Sequence, residues 1–155
     1  MAYAEGTTVT PERSQMEIAG LIRKYGAGSF ATGWDGESAF VTFIAHSRTI
    51  RFNLEVPTDW EGFTVSPGGR RRKQPEATKA MEAEVRRRWR SLTLAIKAKL
   101  DVIETGITTF EQEFLPYTVM PDGATVAEHI LPAVERAIVA GEMPRQLLAL
   151  EAGDR

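Results

Sequence analysis

SFATGWDGESAFVTFIAHSRTIRFNLEV, residues 29–56, carries three strand signals separated by short turns. From Arg48 to Val56, Ile50, Phe52, Leu54 and Val56 alternate with Thr49, Arg51, Asn53 and Glu55, the period of a strand with one buried and one wet face. Residues 37–45 are apolar on both faces instead, Val41 and Phe43 against Phe40 and Ile44, which suits a central strand. Residues 29–34 run into Asp35-Gly36, a dipeptide favoured at the centre of a type I′ hairpin turn because both residues there need positive φ. His46-Ser47 makes the second turn. The stretch predicts an antiparallel meander of three strands.

Helical periodicity flanks the meander. Upstream, Thr10 suits an N-cap, Pro11 the first helical position and Glu12 the positive end of the helix dipole. Ile18, Leu21, Ile22 and Tyr25 recur at helical spacing, and Gly26 and Gly28 end the run. Residues 1–9 read as flexible. Downstream, residues 57–75, PTDWEGFTVSPGGRRRKQP, hold three prolines and three glycines and predict a long loop. Pro75 then opens a helix to about Glu104, with Met81, Val85, Trp89, Leu92, Ile96 and Ile103 on one face. At 1.5 Å per residue this helix would span roughly 45 Å and overhang the sheet, where it could supply a homodimer interface. Gly106 ends it. Thr108 and Glu111 read as a capping box for a short helix through Phe110 and Phe114, and Asp122 as a turn residue. Thr125 and Glu128 read as a second box, opening a helix through Ile130, Val134 and Ile138 that contains Pro132 and ends at Gly141. Residues 144–155 read as a flexible tail. The expected architecture is α+β in a single domain, 1–155: N-terminal helix, three-stranded antiparallel sheet, long helix and C-terminal helical extension.

The chain has no cysteine, which excludes disulfides, thiolate metal sites and thiol catalysis. His46 and His129 are its two histidines, too few for a histidine-rich metal site. The opening residues MAYAEGTTVTPERSQ lack the basic and apolar regions of a secretory signal. No apolar run approaches the roughly 20 residues that span a bilayer. The expectation is a cytoplasmic protein without membrane contact, cofactor or metal.

Net charge is −2, but it is distributed in blocks. Residues 1–69 balance to −3, residues 70–99 to +8 and residues 100–155 to −7. Such asymmetry points to a polyanion partner, or to internal neutralisation between the blocks. The basic block begins with Arg70, Arg71, Arg72 and Lys73. Arg86, Arg90 and Lys97 then fall on one helical stripe, with Thr93 filling the gap and Arg87 alongside, and the expectation is that this stripe faces solvent. Arginine presents a planar fork suited to phosphate oxygens, and several cations along a helix match a sugar-phosphate strand. Arg48 and Arg51 could extend the patch, and Trp60 or Trp34 could stack on an unpaired base. These residues predict a non-enzymatic nucleic-acid-binding protein, with DNA preferred to RNA. The competing reading pairs the arginines with Asp101, Glu104, Glu111 and Glu113. An acidic or host protein partner is a further alternative.

Asp101, Glu104, Glu111, Glu113 and Asp122 also raise a magnesium-dependent nuclease site, though without nuclease-like spacing. Neither histidine accompanies a serine in a nucleophile elbow, and Gly68-Gly69 lacks the frame of a phosphate-binding loop.

Three segments carry a resemblance: PERSQMEIAGLIRKYGA (11–27), AFVTFIAHSRTIRFNL (39–54) and RRRWRSLTLAIKAKLDVIETGITTFEQEFLPYTVMPDGATVAEHILP (86–132). Together they resemble a group of small bacteriophage and prophage proteins. The resemblance implies a phage-encoded protein in the host cytoplasm and brings no activity with it. Small accessory proteins of such genomes serve DNA replication and recombination or block host enzymes and defences. The order of helix, three strands and a helix preceded by RRRK is also similar to the double-stranded RNA-binding domain. That domain's glycine-serine-lysine signature is absent here.

Overall fold

The computed structural model describes residues 3–144. Helix α1 (Pro11–Tyr25) leads into strands β1 (Ser29–Asp35), β2 (Ser38–Ala45) and β3 (Arg48–Glu55), followed by the long helix α2 (Gln74–Glu104), the short α3 (Phe110–Phe114) and α4 (Val126–Ala140). The three strands form one antiparallel sheet in the order β1-β2-β3. The fold is α+β, as the periodicities predict.

One face of the sheet makes the core. Ala39, Val41, Phe43, Ile50 and Phe52 are buried against Ile18 and Ile22 of α1, Trp89, Ile96 and Leu100 of α2, and Phe110 and Phe114 of α3. Phe114 presents its ring edge-on to Phe43 (5.8 Å between centroids) and Phe52 (6.2 Å), and Phe52 stacks on Tyr117 at 4.1 Å. The predicted apolar stripe of α2 is buried at Trp89 and Ile96 and half-buried at Met81, Val85, Leu92 and Ile103. Two short side chains let α1 and α2 approach closely. Ser14 and Thr93 are fully buried, and the Thr93 hydroxyl lies 2.9 Å from the Trp89 carbonyl and 3.3 Å from that of Ser14.

Three local expectations shift by one residue or change partner. Asp35 pairs with Ser38, so the β1–β2 loop is Gly36-Glu37 rather than Asp35-Gly36. Gly36 has φ +61° and Glu37 no positive φ, the pattern of a type II′ turn. The turn with two positive φ values is His46-Ser47 (49° and 59°), which contains no glycine. It is held at its tip, where His46 stacks on Phe110 at 4.6 Å and lies 3.1 Å from the Tyr25 hydroxyl. The first capping box is Thr109–Gln112, not Thr108–Glu111, which releases Glu111 for Arg48 at 3.2 Å. The second is Thr125–Glu128 as expected. The Thr125 backbone N–H donating to Glu128 holds that carboxyl below the ordinary glutamate range.

Residues 3–6 form a turn in which Ala4 is buried and Tyr3 fully exposed. The expected flexible tail falls almost wholly on residues 145–155, outside the described part. Among the described residues no helix is long and apolar enough to cross a membrane.

Candidate nucleic-acid interface

The predicted loop of residues 57–75 is built more tightly than its composition suggests. After a 3-10 turn (Glu61–Phe63), it folds into a small hairpin. Arg72 N–H donates to Thr64 O at 2.7 Å and Ser66 N–H to Arg70 O at 2.8 Å, with Val65 bridged to Arg71. Gly69, at φ +82°, closes the turn through a 2.8 Å bond to Ser66 O. Only glycine takes that φ without steric cost. The returning arm carries Arg70, Arg71 and Arg72 and delivers Lys73 as the extended N-cap residue of α2. The arm is anchored again where the Arg72 guanidinium donates to Phe63 O at 3.2 Å. The 3-10 turn packs beside α2, and Ala77 in the first turns of that helix is fully buried.

Much of the remaining positive charge is spoken for. Arg87 and Arg88 both donate to Glu84, at 2.7 and 2.8 Å, and Arg88 also reaches Glu55 O at 2.6 Å. Hydrogen bonding from Arg87, reinforced by Arg88, holds the Glu84 carboxyl below its ordinary value of 4.5. A depressed folded-state value means that the stabilisation is complete above about 4.5 and is lost as pH falls through the folded value. Glu84→Gln is therefore expected to cost about 1 kcal/mol at neutral pH and much less in acid. Denaturant melts across a pH series would measure this, and an equal loss at every pH would count against the assignment.

The stripe Arg86/Arg90/Lys97 does not face solvent as a unit. Only its middle is turned toward α1: Arg90 pairs with Glu17, and Thr93 in the gap is buried on Ser14. Lys97 remains exposed and lines a shallow groove with Leu21, Tyr25 and Asp101. Arg48 bonds Glu111, and Arg51 lies 3.4 Å from Glu128. Lys99 takes Glu113 at 3.2 Å. Asp101 and Glu104, expected as competitors for the basic block, pair with no cation within 4.0 Å among the described residues. Trp60 is half-buried ahead of the 3-10 turn, away from the arm in sequence.

Six cations of the basic block have no carboxylate within 4.0 Å among the described residues: Arg71, Arg72, Lys73, Lys79, Arg86 and Lys97. All but Lys97 belong to the hairpin arm and the first half of α2. Arg72, Arg86 and Arg87 line one groove of about 840 Å³, walled by Thr7, Phe63, Val65 and Ala83, and the carboxylates Glu5 and Glu84 line it as well. Arg70 has only a 3.4 Å contact with Glu76, both side chains more than half exposed. Lys79 joins this group, its seven-residue spacing from Arg86 placing both on one side of α2. The groove itself had no sequence signal, because its walls come from three separate segments.

Among the described residues no three histidines, aspartates or glutamates converge to hold a metal ion. His129 instead pairs with Asp122 at 2.8 Å. No family model, curated protein or solved structure matches the chain.

Proposed function

We propose that this protein is a non-enzymatic accessory factor that grips nucleic-acid phosphates through the basic arm and the first half of α2, DNA being the preferred partner. The observation that supports it best is what remains of residues 70–99 after internal pairing: five of the six cations there without a carboxylate among the described residues, Arg71, Arg72, Lys73, Lys79 and Arg86, gather at one end of the long helix. The hairpin arm and α2 hold their backbone positions, so little backbone entropy would be lost in presenting them to a phosphate strand. The resemblance to small phage proteins favours a role beside phage DNA metabolism. Contacts of this kind displace condensed counterions, so affinity should fall steeply with salt. A mobility-shift series with duplex DNA, single-stranded DNA and RNA at low and moderate salt tests the proposal. Binding that is flat with salt, or absent for all three, would remove it.

A second reading, an interaction factor acting on a host protein, is favoured by α4. This helix has no buried residue, and Ile138 and Val139 are 75% and 89% exposed. Changing both to Gln should leave Tm within about 2 °C, because exposed positions away from packing rarely matter to stability. Thermal melts check that outcome. If this reading holds, the same variant loses a host partner whose capture survives nuclease treatment.

A further inference from the structure

The two edges of the sheet differ. Beyond β3, Ile50 bridges Thr118, and Val119 N–H donates to Thr49 O at 2.8 Å, so that edge is partly occupied. Beyond β1 no described residue forms a bridge or a backbone hydrogen bond with the strand. Residues 29–35 contain no proline and no lysine, the usual means of blunting an open edge, and their one charge is the terminal Asp35.

The turn determines which groups the edge offers. Asp35 and Ser38 flank a two-residue loop, so they exchange both backbone bonds, and alternation directs the groups of Gly33, Ala31 and Ser29 toward β2 as well. The N–H and C=O of Phe30, Thr32 and Trp34 therefore point outward. Their side chains share the face that packs on the helices, opposite Phe43, Val41 and Ala39. The helix layer stops short of them: Thr32 is exposed, Phe30 half-buried and Trp34 60% exposed.

We infer that β1 pairs antiparallel with β1 of a second copy of this chain, about a two-fold axis through Thr32, to make a continuous six-stranded sheet. In this register Thr32 meets the partner's Thr32, Phe30 meets the partner's Trp34, Ala31 meets the partner's Gly33, and Ser29 meets the partner's Asp35. The three outward residues are all used, each in a hydrogen-bonded pair. The aromatic pairing occurs twice by symmetry and covers the exposed indole, a favourable cross-strand combination. No like charges oppose each other. The interface is isologous and closes at two copies, so it gives a dimer rather than a fibre. It does not depend on the polyanion reading.

Thr32→Cys tests both pairing and register, because the chain has no other cysteine. Residues in a hydrogen-bonded antiparallel pair have Cα atoms about 5.5 Å apart, within the range of a disulfide. Mild oxidation should link nearly all of the Thr32→Cys protein as dimers, while Phe30→Cys, which would face the partner's Trp34, links poorly. Thr32→Lys places two ammonium groups opposite each other and should raise the dimer dissociation constant at least tenfold, with an unchanged circular dichroism spectrum. Sedimentation of the unaltered chain from micromolar to millimolar concentration should show reversible dimerisation. A monomer throughout that range overturns the inference. So does a dimer that tolerates Thr32→Lys, or one that does not cross-link through Thr32→Cys.

Discussion

Trp89→Ala should destabilise the protein by about 3–5 kcal/mol, a large share of the 5–15 kcal/mol that holds a typical domain together. Trp89 is 1% exposed at the centre of α2, inside the cluster that joins α1, the sheet and α3. Its replacement leaves a cavity bounded by three elements that cannot all close on it. The indole has a second property that makes the test sharper. Its Nε1–H is buried without a hydrogen-bond partner among the described residues. An unpaired buried donor costs about 1–3 kcal/mol. Trp89→Phe should recover part of that cost while losing some volume, for a net loss of no more than about 1.5 kcal/mol. Denaturant unfolding followed by far-ultraviolet circular dichroism compares the two variants. Equal losses would mean that the indole N–H is satisfied after all.

The second large effect concerns the division of the basic residues. Replacing Arg71, Lys73, Lys79 and Arg86 together by alanine should weaken binding to every nucleic-acid sequence alike. It should also reduce the slope of log affinity against log salt by about 3–4 for duplex DNA, near 0.9 per lost phosphate contact. Stability should change little, since none of the four has an ion pair among the described residues and Lys73 makes no side-chain cap bond. The complementary variant, Arg48→Ala with Arg51→Ala and Arg90→Ala, removes cations already held by Glu111, Glu128 and Glu17. It should lower stability by about 1–3 kcal/mol, because each pair is only partly shielded from water, and leave the salt slope unchanged. Filter binding across a salt series, paired with thermal melts, separates the two sets. If the second set weakens binding as much as the first, the internal pairs open on contact with nucleic acid and the proposed interface is too small.

How far the residues alone could carry these conclusions varies with the range of the interaction. Alternation from Thr49 to Val56 and helical spacing from Met81 to Ile103 are short-range signals, and the elements they predict are present. Turn and cap positions drifted by one residue. Asp35-Gly36 has the stronger local preference for a type I′ turn, but β1 and β2 pair in a register that places Gly36-Glu37 at the centre. Thr108 and Thr109 offer alternative caps, and the second is used, with Gln112 instead of Glu111 answering it. Local propensities a few tenths of a kcal/mol apart are easily outvoted by strand pairing and aromatic packing.

The three strands, the long helix, the lack of cysteine and the block distribution of charge are all legible in the residues alone, because periodicity and composition need no knowledge of neighbours. Which charges remain available depends instead on what packs against each side chain. A period of 3.6 residues places Arg86, Arg90, Thr93 and Lys97 on one side of α2, but says nothing about what lies against that side. Ser14 and Thr93, small enough for two helices to touch, bring Glu17 to Arg90 and take the middle of the stripe out of solvent. The hairpin of residues 64–72 has the opposite effect, turning a run of four cations that reads as a loose approach into an anchored arm at the head of the helix.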